Sequence, residues 1–184
     1  MMKIVNQFSK KVIKNLVKTS SLTLIIACAP LLMFAQSASE EPILDIVGYL
    51  FEGSEKLKDC SAILFKGNDE VQRIEVKNNG KFEFELDRNG YYTITMSKEG
   101  YQSKRIAIST FVDDSYADNE LFSFDASLFK EDKLKGVDTF FMDFPFTLIS
   151  YNKEDGKFEY DKVYSKNMKE EYKRLKEEAK LVDN

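Results

Sequence analysis

Histidine is missing from all 184 residues of the chain, and this absence removes a wide range of chemistry. A Ser-His-Asp or Cys-His constellation cannot be assembled, nor can a histidine base or a His-ligated zinc site. Cysteine is scarce, with only Cys28 and Cys60 present, so thiolate clusters and CxxC redox pairs are excluded. No glycine-rich phosphate loop of Walker or Rossmann spacing occurs. Carboxylate chemistry is what remains. A glycoside-hydrolysing pair needs two carboxyls held roughly 5 to 9.5 Å apart across a cleft, and among 31 acidic residues no spacing singles out such a pair. The chain reads as non-enzymatic, with no catalytic, cofactor or metal residue assigned.

What is present begins with a leader. Residues 1–39 carry five lysines (Lys3, Lys10, Lys11, Lys14, Lys18) and no acidic residue. A run from Leu22 to Phe34 follows, apolar except for Thr23, and then Ala35-Gln36-Ser37-Ala38-Ser39. A basic segment, a short apolar segment and small residues form a secretory signal peptide, expected over residues 1–37. Cleavage after Ser37 or after Ser39 fits the small-residue rule. An uncleaved anchor is the alternative, set against an apolar run shorter than the ~20 residues a spanning helix needs. A second alternative is a lipid anchor, because Ile25-Ile26-Ala27-Cys28 resembles a lipobox. Against it, the hydrophobic segment continues beyond Cys28 where a lipoprotein turns small and polar. The expectation is an exported bacterial protein, periplasmic or associated with the outer envelope.

Loss of the leader leaves 22 basic residues against 31 acidic ones, a net charge of −9. An acidic chain of this kind repels nucleic acid and anionic lipid. Cys60 then stands alone, so no intrachain disulfide can form; it reads as a small buried hydrophobe. About 145 residues remain, enough for one domain with a real core.

Residues 43–110 read as six short strands divided by turn signals: 43–52, 60–65, a third marked by Val71, Ile74 and Val76, then 81–86, 91–97 and 105–110. Period-two alternation places Phe82, Phe84 and Leu86 on one buried face, with Tyr92, Ile94 and Met96, and then Ile106 and Ile108, on others. Asn78-Asn79-Gly80 and Asp87-Arg88-Asn89-Gly90 read as hairpin-like turns. Short strands at this spacing predict an antiparallel sandwich.

The same residues carry a family resemblance. Gly80-Lys81-Phe82-Glu83-Phe84, Gly90-Tyr91-Tyr92-Thr93-Ile94-Thr95-Met96 and Lys98-Glu99-Gly100-Tyr101 are similar to a G-x-F-x-F, G-x-Y-x-I-x-V, K-x-G-Y cassette. Ile46-Val47-Gly48-Tyr49-Leu50 resembles the I-x-G-x-V first strand that accompanies it. This is the pattern of carboxypeptidase regulatory-like domains of exported gram-negative bacterial proteins, which have a transthyretin-like (prealbumin-like) fold. The resemblance spans residues 45–110. It departs from the family at Lys56-Leu57-Lys58-Asp59-Cys60 and Asn78-Asn79, both in loops. It implies a non-catalytic accessory sandwich and transfers no active-site residue.

After residue 110 come an acidic loop, an apolar stretch (121–129), a charged connector (130–136), an aromatic segment around Pro145 and a short strand at 158–160. This β-rich extension, 111–162, is expected to pack on the sandwich. Phe140, Phe141, Phe144 and Phe146 fall on both parities of a strand, which predicts burial on two sides. Residues 163–184 form a C-terminal amphipathic helix, expected from about Ser165, with Met168, Tyr172, Leu175 and Ala179 on its apolar stripe. Asn167 and Glu170 suggest a capping box, and the helix's Lys and Glu residues read as a solvated face.

The fold class is therefore mainly β: a transthyretin-like antiparallel β-sandwich with a β-rich extension and a C-terminal amphipathic helix. The expected function is an accessory or structural domain mediating contacts with an envelope protein partner, without nucleic acid and without a transmembrane span in the mature chain. A carbohydrate- or peptide-binding module using Tyr91 and Tyr101 is the alternative, and a carboxylate-based hydrolase is a third. The loop residues Asp113, Asp114, Asp118 and Glu120 offer oxygen ligands for calcium but lack EF-hand spacing, so a solvated acidic loop is the expectation. Mass spectrometry of the mature chain should find its N-terminus near Ala38; a chain that begins at an acylated Cys28 would establish the lipid anchor instead.

Overall fold

A computed structural model of the chain describes residues 42–182. The leader, both cleavage positions and Cys28 lie outside these residues. In chain order the strands are β1 (Pro42–Glu52), β2 (Glu55–Lys56), β3 (Cys60–Lys66), β4 (Asp69–Val76), β5 (Lys81–Asp87) and β6 (Tyr91–Lys98). They continue as β7 (Tyr101–Ser109), β8 (Glu120–Ser127), β9 (Phe129–Lys130), β10 (Thr147–Asn152) and β11 (Lys157–Tyr160), followed by helix α1 (Lys162–Val182).

Two sheets form. In the smaller, β1 lies between β5 and β8, with β2 folded back on its end. The larger runs β11-β10-β7-β6-β3-β4, with β9 against the start of β7. The alternation predicted from sequence explains why they stack. Leu44, Ile46 and Leu50 of β1, Phe82, Phe84 and Leu86 of β5, and Phe122, Phe124 and Ala126 of β8 are all buried. So are Cys60, Ala62 and Leu64 of β3, Tyr92, Ile94 and Met96 of β6, and Ile106 and Ile108 of β7. Each sheet thus presents one apolar face, and burying both faces together makes the sandwich. Cys60 belongs to this core, and burial pushes its thiol pKa up.

Close packing assigns a physical role to one glycine of the cassette's first strand. A β-carbon on Gly48 would fall 2.1 Å from Cζ of Phe82; the missing side chain is the space that the aromatic ring occupies. Phe82 in turn meets Phe84 and Phe124 with ring centroids 5.7 and 5.9 Å apart.

The six expected strands are present, but two of the turns do different work. β3–β4 and β6–β7 are hairpins, whereas Asn78-Asn79-Gly80 and Asp87-Arg88-Asn89-Gly90 carry the chain from one sheet to the other. Gly80 has φ +68°, and its carbonyl accepts the Leu50 N–H at 2.9 Å, which ties the first crossing to β1. The strand marked by Val71, Ile74 and Val76 is an outer strand of which only Val76 is buried. It is covered with charge instead: Arg73 is paired to Glu70 at 2.8 Å, in keeping with an edge protected from further pairing.

The pairings are antiparallel throughout residues 42–109. Residues 111–162, expected to pack on the sandwich, join its sheets. β8 pairs in parallel with β1, and β10 in parallel with β7. Parallel neighbours need long crossovers, so no hairpin signal could reveal them.

Two local expectations are corrected. Phe140–Asp143 is a 3₁₀ turn and not part of a strand. The Asp138 carboxylate accepts the Phe140 N–H at 3.0 Å, an Asx-type bond that starts a turn. Phe144, restricted by the following Pro145, is extended at ψ 156°. Phe140 and Phe144 are left 70% and 49% exposed, so burial on two sides does not occur. The helix starts at Lys162 and is capped by Asp161, whose carboxylate accepts the Tyr164 N–H at 2.8 Å. Asn167 and Glu170 are exposed inside the helix and form no cap. Its apolar stripe is otherwise as expected: Leu175 is fully buried and packs with Leu134 and Met142. Tyr172 stacks on Phe129 with centroids 5.8 Å apart.

Gly48→Ala should destabilise the domain by about 2 kcal/mol in urea unfolding, because overpacking a filled core forces neighbouring side chains off their preferred rotamers. Adding Phe82→Leu should recover part of that loss. An unchanged midpoint for the single variant would mean that the ring moves aside freely.

Candidate functional site

The two sheets differ in width. β8, at the edge of the smaller sheet, lies against β11, at the edge of the larger, and α1 packs on β10. A cleft of about 660 Å³ opens there, walled by β7, β8, β10, β11 and α1. Phe124, Phe146 and Tyr160 supply its apolar surface. Tyr160 is held by an edge-on contact with Phe122, centroids 4.8 Å apart. Thr147 and Ser165 join β10 to α1 through a 2.7 Å hydroxyl–hydroxyl hydrogen bond at its margin.

The unusual residue is Lys104. Its side chain points inward on the same parity as Ile106 and Ile108 and is only 8% exposed. The Nζ donates to the Ser127 carbonyl at 3.1 Å. It also lies 4.3, 4.7 and 5.7 Å from the ring centres of Tyr172, Phe146 and Phe129. The negative ring faces stabilise the ammonium, but weakly against the loss of its hydration. Burial, and then the nearby Lys176, depress its pKa to about 8. Opposite it, Lys162, Lys166, Lys169 and Lys176 of α1 line the same cleft. Asp125 is the one carboxylate among the lining residues described. The Tyr172 hydroxyl is buried and has no hydrogen-bond partner among the described residues, and burial raises its pKa.

Tyr172 and Phe146 were singled out from sequence as packing residues; Lys104, Asp125 and the α1 lysines of the cleft were not, yet two signals were there. β7 starts at Tyr101 and not at residue 105, and the four added residues bring Lys104 onto the inward parity. Lysines at 162, 166, 169, 173, 176 and 180 recur every four and three residues, the spacing of one helix face. That row was read as part of a solvated face; four of its members border the cleft.

The residues that sequence did single out are dispersed. Tyr91 and Tyr101 sit at opposite ends of the β6–β7 pair, about 25 Å apart at ~3.3 Å per strand residue, so they cannot form one platform. Tyr91 is 69% exposed and packs on Phe111, with centroids 4.8 Å apart. Tyr101 is half-buried and donates its hydroxyl to Glu52 at 2.6 Å. The hydrogen bond from Lys130, then that from Tyr101, lowers the Glu52 pKa. In the acidic loop, Asp113 pairs with Lys153 at 2.5 Å, while Glu120 accepts the Phe158 N–H at 2.8 Å. Among the described residues no group of three or more acidic or cysteine side chains is placed to hold a metal.

No family model and no curated protein matches the chain. Among solved structures it is similar to 3-chlorocatechol 1,2-dioxygenase from Rhodococcus opacus 1CP, at 12% identity and TM-score 0.39 over 52% of this chain and 62% of that one. Catechol 1,2-dioxygenase from Acinetobacter sp. ADP1 gives 12% and 0.38, over 56% and 57%. A Bacteroides uniformis ATCC 8492 protein assigned to carbohydrate binding gives 11% and 0.35, over 48% and 42%. The chain spans about three fifths of the length of the two dioxygenases. Likeness at this level carries no argument about ligand or activity.

Lys104→Met should stabilise the fold by about 1–2 kcal/mol at pH 7, since an apolar side chain of similar length replaces a buried, unpaired charge. The gap should then close and change sign as the pH rises. From a folded-state pKa of about 8 up to the ordinary 10.5, the unfolded state holds more protons than the folded one, so rising pH favours the wild-type fold. The gain across that window is about 3 kcal/mol. Urea unfolding of both proteins between pH 7 and 10.5 checks it; a gap that stays constant would show that Lys104 is not depressed.

Proposed function

We propose that the chain is an exported, non-catalytic accessory domain of transthyretin-like, carboxypeptidase regulatory-like type, acting by binding in the periplasm or at the outer envelope. Its binding site is the cleft between the sandwich edge and α1. The observation that carries this reading is the cleft itself. Its volume of about 660 Å³ falls within the range of roughly 300–1,000 Å³ common to ligand pockets, and apolar walls with a few placed polar groups are their usual lining. A single carboxylate on its wall supports binding over paired-acid hydrolysis. The transthyretin-like assignment is supported by the two stacked sheets and by the place of the cassette's glycine at Gly48, beneath Phe82.

A second reading has its own observation. Phe140 and Phe144 form an exposed edge-on pair with centroids 5.6 Å apart, and exposed aromatic surface is a common mark of protein contact. An envelope protein partner would dock there without using the cleft.

The test is retention of a natural ligand. The mature protein, exposed to an envelope extract and desalted, should hold an added small-molecule mass in native mass spectrometry. Ser165→Trp, which plugs the cleft, should hold none. A wild-type protein that retains no added mass, or a plugged variant that retains the same one, would remove the cleft from the account.

A further inference from the structure

We propose that the cleft takes a small organic anion, its carboxylate or other anionic group seated at Lys104 and its apolar body lying against Phe124, Phe146 and Tyr160. The inference rests on the cleft being the binding site.

Charge balance along α1 is the first argument. Among helix residues that do not line the cleft, basic groups are matched: Lys173 with Glu177 at 4.0 Å, and Arg174 with both Glu171 and Glu178 at 2.8 Å. Lys162, at the mouth, is matched by Glu159 at 3.2 Å. Lys166, Lys169 and Lys176 line the cleft, and none of them is ion-paired to a described carboxylate. Lys173 and Arg174 are thus neutralised, whereas three of the lysines that line the cleft are left positive. This happens in a mature chain of net charge −9, whose field elsewhere repels anions.

Lys104 is the second argument. An ammonium has three N–H donors, and among the described residues this one makes a single hydrogen bond, to the Ser127 carbonyl. The aromatic rings approach it at 4.3 and 4.7 Å and offer no charge. A cation so placed lacks a counterion, and an anion entering from the cleft would supply one together with acceptors for the two remaining donors. Cleft volume selects a small molecule over a polymer chain.

Proton linkage follows. The titratable groups that line the cleft with Lys104 are Lys162, Lys166, Lys169, Tyr172 and Lys176 of α1, Asp125 of β8 and Tyr160 of β11. Lys176 disfavours the charged form of Lys104; a bound anion opposes that effect, so binding near pH 8 takes up a proton.

The experiment is calorimetric titration of the mature protein at pH 8 with 4-phenylbutyrate and with its neutral amide, in Tris and in triethanolamine. The carboxylate should bind at least tenfold more tightly than the amide, with proton uptake revealed by the difference between buffers. Lys104→Met should lose tenfold in affinity and abolish the uptake, and Lys169→Met and Lys176→Met should each lose about threefold. Lys173→Met should change neither. Equal binding of the amide, uptake that persists in Lys104→Met, or no binding of either compound overturns the anion inference. Tight heparin binding that phenylbutyrate does not displace overturns it in favour of a polyanion. Retention of a neutral mass in the native-spectrometry experiment would leave the cleft as the binding site while removing the anion.

Discussion

Every other strand of the smaller sheet is hydrogen-bonded to β1, and the rest of the fold depends on that strand. It must accept β5 antiparallel on one side and β8 parallel on the other, while its inward face holds Leu44, Ile46 and Leu50 against the larger sheet. Gly48 is the constraint within it. The Phe82 ring fills the volume that any side chain at that position would need, and Phe82 touches both Phe84 and Phe124. One absent side chain therefore sets how β1, β5 and β8 stack around a single aromatic cluster.

The cleft forms where the edges of the two sheets meet α1. β8, the edge of the smaller sheet, lies against β11, the edge of the larger, and Ile149 of β10 and Phe158 of β11 are buried in the common core. Phe124, Phe146 and α1 wall the space outside it. Closure is incomplete where Lys104 replaces an aliphatic residue at a core parity. Its Nζ is held by one carbonyl and ring faces, and the lysine row of α1 meets it from the other wall. A core position has been given to a charge, which costs stability unless something else occupies the cleft.

Much of the fold could be read from residues alone, and the reason is period two. Phe82, Phe84 and Leu86, or Tyr92, Ile94 and Met96, are separated by polar positions that can only face the other way. The stripe Met168, Tyr172 and Leu175 is legible for the equivalent helical reason. Local competition defeated the reading elsewhere. At Phe140–Asp143 aromatic content suggested a strand, but the Asp138 side chain and Pro145 impose a turn. At the start of α1 a plausible Asn167–Glu170 pair drew attention from Asp161, the true cap.

Sequence by itself determined which residues face inward along β5, β6 and the end of β7 and which stripe of α1 is apolar, since both follow from backbone geometry within a few residues. Tertiary structure decided which sheet each strand joined, that β8 and β10 pair in parallel, and that Lys104 and the α1 lysines share one cleft. Those outcomes depend on partners far apart in the chain: β8 follows β1 by more than 60 residues, and α1 reaches Lys104 only after β10 and β11 have widened the larger sheet. No local pattern encodes a meeting of that kind; it comes from packing two sheets and a helix drawn from distant parts of the chain.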